Sequence, residues 1–90
     1  VGVGETGFDE TSLFLLDLQR LAFSKQIMIA RDTGLPLILH CLGYPLYRSM
    51  FDMIESMLPT DHPIQWHCIK ADSDLQTIDL FISTFSDSII

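Results

Sequence analysis

Three short apolar runs in this chain each end on a residue able to bind a metal, and helical patterns lie between them. The clearest is Leu35-Pro36-Leu37-Ile38-Leu39-His40-Cys41. Similar strand ends flank it at Val1-Gly2-Val3-Gly4-Glu5 and Pro63-Ile64-Gln65-Trp66-His67-Cys68. A near-continuous apolar run of this kind suits a strand buried on both faces of a parallel sheet. Strands of that type alternating with helices define an α/β architecture, here about four parallel strands with three intervening helices.

The helical stretches carry their own punctuation. From residue 13 to about residue 33, Leu15, Leu18, Ala22 and Ile29 form one row. Leu16, Gln19, Phe23, Gln26 and Ala30 form the adjacent one, at spacings of three and four. Lys25 and Arg31 belong to the exposed side. Thr11 or Ser12 is expected to cap the start, because a hydroxyl there accepts a bond from an orphan amide. Gly34 stops the helix and Pro36 forbids its continuation. A second helix begins near Pro45 and runs to about residue 58, with Leu46, Met50, Met53, Ile54 and Met57 inward. At helical spacing the methionines read as core rather than as a binding surface. His62, between a turn and a proline, reads as an exposed loop residue. Asp72 or Ser73 is expected to cap the last helix, residues 75–85, with Ile78, Phe81 and Ile82 facing in.

Composition narrows the setting. Apolar residues make up 48% of the 90 and charged residues only 19%. That is much apolar surface for one small core to hide. It suggests faces packed against further chain, so that the 90 residues form the central part of a larger barrel or sheet. The formal charge of −7 offers a phosphate backbone no general attraction, so any nucleic-acid contact must come from local groups or bound cations. No run of about 18 apolar residues occurs, so no transmembrane helix and no membrane partner are expected. Cys41 and Cys68 read as reduced thiols of an intracellular protein, cytoplasmic or nuclear. The G-V-G-E stretch is not a dinucleotide fingerprint, since Glu5 would repel a pyrophosphate.

Parallel α/β proteins present their reactive groups at the carboxyl ends of strands, and Glu5, His40 and His67 all fall there. One histidine after an apolar strand is ordinarily structural. Three ligand-type residues at equivalent points of three units form a pattern. Two imidazoles and a carboxylate suit Zn²⁺, Mn²⁺ or Fe²⁺ better than Ca²⁺, and a carboxylate can bridge two cations in two-metal hydrolysis.

These residues carry a resemblance. Gly4-Glu5-Thr6-Gly7-Phe8-Asp9 is similar to the G-E-[IT]-G-L-D segment of TatD-type metal-dependent deoxyribonucleases. Gln19-Arg20, Phe23, Gln26, Ala30, Leu35-Pro36 and His40 resemble that family's Q-R-x-x-F-x-x-Q-x-x-x-A-x-x-x-x-L-P-x-x-x-H run. Trp66-His67-Cys68 is similar to its H-C-F element. The resemblance implies a (β/α)8 TIM-barrel hydrolase of the amidohydrolase type, with residues 1–90 its central part, lacking the first strand or strands and the C-terminal ones. It implies one or two divalent cations (Mg²⁺, Mn²⁺ or Zn²⁺) at the barrel mouth. Glu5 would be the bridging, catalytic carboxylate, and His40 and His67 would hold the second cation. Asp9 would shape the motif loop. The implied activity is cleavage of DNA phosphodiesters, of the 3′–5′ exonuclease type, on single strands or 3′ ends.

Two departures bear on specificity. Cys41-Leu42 stands where the family typically has Ser-Arg, which removes a cation that could meet a phosphate. Ile69-Lys70-Ala71 replaces Phe-Ser-Gly; Lys70 could supply a phosphate contact, but it reads rather as a solvated side chain. Two alternatives therefore stand beside the nuclease: a related barrel hydrolase acting on a small amide or ester, and a homologue that kept the scaffold without activity.

Overall fold

A computed structural model of the chain describes residues 2–90; the part of the first expected strand that falls on Val1 lies outside them. The order is β1 (Val3–Thr6), α1 (Leu16–Thr33), β2 (Leu37–His40), α2 (Leu46–Met57), β3 (Ile64–His67), α3 (Leu75–Thr84) and β4 (Ser88–Ile89). The strands form one sheet in the order β1-β2-β3-β4, every neighbouring pair parallel. Four parallel staves joined by three helices make an arc of a (β/α)8 barrel, the fold class that the sequence points to.

Alternation along the strands separates two faces. Leu37, Leu39, Ile64 and Trp66 are almost wholly buried. They belong to one core with Phe23, Ile27 and Ala30 of α1, Met50, Phe51 and Ile54 of α2, and Ile78 and Phe81 of α3. Trp66 joins two of those helices: its ring stacks on Tyr47 at 5.5 Å and meets Phe81 edge-on at 5.1 Å. Ile38, His40, Gln65 and His67 occupy the alternate positions and are less buried. The strand pairing is residue for residue between β2 and β3, with Leu39 opposite Trp66 and His40 opposite His67.

Helix α1 departs from expectation. It begins at Leu16, and its N-cap position, Leu15, has no side-chain cap. Ser12 accepts a bond from the Phe14 amide at 3.1 Å, so its hydroxyl is spent on the preceding turn. Of the two expected rows, Phe23 and Ala30 are buried together with Ile27, whereas Leu15, Leu18, Ala22 and Ile29 are exposed. The reason is geometric. In a barrel each helix packs on the sheet and against a neighbour on either side, and α1 packs here on β1 and, laterally, on α2. Gly34 ends the helix as expected, in the left-handed conformation at φ 73° with its amide on Ala30 O at 2.9 Å.

Three further differences are local. Asp74 caps α3, its carboxylate accepting from the Thr77 amide and hydroxyl. Ser73 is instead buried, accepting the Lys70 amide and contacting the Tyr47 hydroxyl at 2.8 Å. Ile82 is exposed and Met28 sits on the outer face of α1, while Met50, Met53 and Met57 pack in or against the core. His62 is buried, with Nε2 2.9 Å from the Leu35 carbonyl. That contact ties the turn before β3 to the entry of β2.

Trp66→Ala should therefore be far more damaging than Tyr47→Phe. Loss of a fully buried aromatic costs about 3–5 kcal/mol, whereas removing one hydroxyl from a stacked ring costs about 1–2 kcal/mol. Denaturant unfolding of the two variants checks the order.

Candidate metal centre

Each candidate ligand reaches the rim by a different local device. For Glu5 it is a bulge. Gly4 pairs with Ile38 and Thr6 with Leu39, so Glu5 is the extra residue between them. A bulge of this kind re-aims a side chain. It needs the glycines around it. A β-carbon on Gly4 would lie 2.3 Å from the Ile38 carbonyl oxygen, and one on Gly7 would lie 2.0 Å from that of His40. Only a residue without a side chain lets the backbone come that near.

The loop after β1 is then held from both sides. Phe8 is buried edge-on against Phe23 at 5.3 Å. Its carbonyl accepts the Leu42 amide, and the Glu10 amide reaches the Leu42 carbonyl. Gln19 clamps the loop from α1: its Oε1 accepts the Asp9 amide at 2.8 Å and its Nε2 donates to the carbonyls of Asp9 and Phe14. Asp9 stays within the loop, as expected, accepting from the Thr11 amide and hydroxyl at 2.8 and 2.6 Å. Those two bonds hold its carboxyl below the usual aspartate range.

At the rim, Glu5 Oε2 meets His67 Nδ1 in a short side-chain contact across 62 positions of sequence. Both side chains are open to solvent, 43% and 52% exposed. Cys68, the next residue, brings its sulfur 3.2 Å from the same His67 nitrogen. One ligand atom from each of Glu5, His67 and Cys68 lies within 4.8 Å of the others. His40 sits beside His67 in the strand register but is not a member of that trio. It lines an adjoining cavity of about 270 Å³ with Glu10, Tyr44, Cys68, Lys70 and Asp72. Cys68 borders both places, so the trio and His40 share one mouth.

With that geometry in view, comparison with known families decides the kinship: residues 1–85 match the family described as TatD related DNase. The chain belongs to this family. No curated protein and no solved structure gives a significant match. Membership in the TatD-related family places the chain among hydrolases of the DNase type. The donor set fits a divalent cation: a carboxylate oxygen, an imidazole nitrogen and a thiol sulfur are close together and open to solvent.

Cys68 is the residue that sequence reasoning passed over. Strand alternation places it on the face opposite His67, and only its backbone conformation contradicts this. At φ 63° it is the single non-glycine residue of positive φ among the described residues, a state that disfavours side chains by roughly 1–2 kcal/mol. Cys41, one strand over, follows the usual geometry. It is buried, with its sulfur 3.8 Å from the Gly43 carbonyl. Burial, then Glu10, Asp74 and Asp9, push its thiol up to about 12.

The Asp9 turn gives a signed pH dependence. A carboxyl whose folded pKa lies below its unfolded value contributes stability above the unfolded value. That contribution is lost as pH falls through the folded one. Amide and carboxyl NMR signals of Asp9 and Thr11 should titrate below the ordinary aspartate value of 3.8. In Thr11→Val, which lacks the hydroxyl, the midpoint should move up towards that value.

Proposed function

We propose that the chain contributes the active centre of a divalent-metal-dependent hydrolase cleaving DNA phosphodiesters as a 3′–5′ exonuclease, with Glu5, His40 and His67 as metal residues. The observation that carries this reading is the meeting of Glu5 and His67 at the end of a parallel sheet, in a chain of the TatD-related DNase family. The 90 residues would form the central staves of one (β/α)8 barrel. The reduced, unpaired cysteines fit an intracellular compartment, cytoplasmic or nuclear, and no described helix is long and apolar enough to cross a membrane.

Bound between these residues, a divalent cation, one or two in number (Mg²⁺, Mn²⁺ or Zn²⁺), supplies charge to offset a phosphodiester and acidifies water. The chain's own groups do the rest. The His67 contact holds the Glu5 carboxylate at the mouth, where this half-exposed side chain would be able to take a proton from attacking water. His40, on the neighbouring strand, lines the cavity into which the substrate's reacting end would enter. Lys70, exposed on the same wall, is the positive side chain within reach of a phosphate there. Gly7, Phe8 and Gln19 keep the Glu5 loop from shifting.

A second reading, a related barrel hydrolase of small amides or esters, rests on one feature of that cavity. Glu10 and Asp72 line it beside His40 and Lys70, so its walls are not uniformly attractive to phosphate.

The full-length protein with Mn²⁺ or Mg²⁺ should release mononucleotides from the 3′ ends of single-stranded DNA. No release, together with cleavage of a small amide, would transfer the assignment to the second reading; neither reaction would leave an inactive homologue. Glu5→Ala and His67→Ala should lose bound metal. Disturbing residues behind the ligands costs about 10–100-fold in metal affinity or activity, and losing a ligand itself should exceed that. Unchanged metal content would remove these residues from the site.

Charge adds a separate expectation. A chain with seven net negative charges repels DNA unless a cation bridges the two. Chelation should therefore abolish DNA binding as well as cleavage, measured as the anisotropy of a labelled oligonucleotide with and without EDTA.

A further inference from the structure

We infer that Cys68 is a metal ligand, and that with Glu5 and His67 it makes a thiolate-containing site that takes Zn²⁺ in preference to Mg²⁺ or Mn²⁺. This rests on the metal-dependent reading above and goes beyond it, because that reading assigns Cys68 no role.

Two linked observations support it. The first is placement. His67 Nδ1 is touched on one side by Glu5 Oε2 and on the other by Cys68 Sγ, at 3.2 Å, and one ligand atom of each residue falls within 4.8 Å of the rest. Zinc bonds of about 2.0–2.3 Å place ligand atoms roughly 3.5 Å apart, which is compatible with the separations found here. The second is backbone conformation. Adjacent residues of an extended strand point to opposite faces. The positive φ at Cys68 breaks that alternation at the end of β3 and turns two consecutive side chains to the same rim. Sparsely populated conformations of this sort gather at functional sites.

Cys41 serves as the internal control. It too follows a rim histidine at a strand end, yet its backbone has no positive φ and its side chain enters the core. The same His-Cys dipeptide thus has two outcomes, and only at Cys68 is the sulfur delivered to a carboxylate and an imidazole.

The donor chemistry sets the preference. Magnesium requires oxygen ligands, whereas a thiolate selects zinc over manganese and magnesium. Coordination replaces the Cys68 thiol proton with the cation, and that proton passes to solvent.

The test uses the full-length protein with Co²⁺ as the spectroscopic stand-in for Zn²⁺. The wild type should show a near-ultraviolet thiolate-to-cobalt charge-transfer band. Cys41→Ser should keep it, and Cys68→Ser should lose it while still binding cobalt. In competition dialysis, Cys68→Ser should lower the ratio of bound zinc to bound manganese by at least about tenfold. A measurement that needs no variant runs beside these: Zn²⁺ should protect Cys68 of the wild type from alkylation, and Mg²⁺ should not. A cobalt complex lost in Glu5→Ala but without the thiolate band would overturn the assignment of Cys68 and leave the hydrolase reading standing. So would alkylation at the same rate with and without zinc while zinc is bound. A wild type that binds no divalent ion would overturn both.

Discussion

The residue-for-residue pairing of β2 with β3 is the constraint on which the rest of this structure depends. Leu37 and Leu39 on one strand, and Ile64 and Trp66 on the next, face the helices. Burying each is worth about 1.5–3 kcal/mol. Because the side-chain period of a strand is two, a one-residue slip of β3 against β2 would turn Ile64 and Trp66 towards the open face and bring His67 beneath the helices. The stack of Tyr47 on Trp66, with Phe81 at the ring's edge, makes the penalty for a slip steeper still. His40 and His67 are therefore adjacent on one rim because of what their neighbours bury, with no direct attraction needed between the two rings. The site is a by-product of core register.

Glu5 is placed by other means. Its strand carries Gly4 opposite Ile38, and it bulges at the point where the carboxylate leaves the sheet. A bulge loosens a strand, so the loop beyond it is secured three times: by Phe8 in the core, by pairing with the segment after β2, and by the Gln19 amide. Gln19 does this from the start of α1: its side chain takes up the Phe14 and Asp9 carbonyls ahead of the helix, so one side chain joins the helix to the motif loop. The same economy applies to Tyr47, whose ring packs on Trp66 while its hydroxyl joins the Cys41 carbonyl to Ser73. One side chain thus links the ends of β2 and β3 at the edge of the cavity.

How much of this is legible in sequence follows from the range of each interaction. Strand order, the parallel arrangement and the stops at Gly34 and Pro36 depend on local apolar runs and backbone limits, and these are read directly. The outer row of α1 is not, since Leu18 and Ile29 have the same spacing as core residues and differ only in what lies opposite them. His62 misleads for a related reason: its setting in sequence is a loop, while its hydrogen bond is to Leu35, 27 positions away. Asp74, rather than Asp72 or Ser73, caps α3 because Ser73 is already engaged by Tyr47, a partner 26 residues distant. Glu5 and His67 are legible as strand-end residues, whereas their contact becomes visible only when the register is known.

The pair of His-Cys dipeptides shows where sequence reasoning reaches its limit. Both follow apolar strands of the same direction in the same sheet, and composition cannot tell them apart. One torsion does. With an ordinary backbone at Cys41 the sulfur enters the core, where burial and nearby carboxylates keep it protonated. With positive φ at Cys68 it arrives at the rim beside a carboxylate and an imidazole. Cys41 therefore occupies the position expected of a small apolar residue. Cys68 instead lies within reach of two other groups able to hold a metal. In this fold a side chain's surroundings are set by which way the strand lets go of the sheet, and at β3 it lets go towards Glu5 and His67.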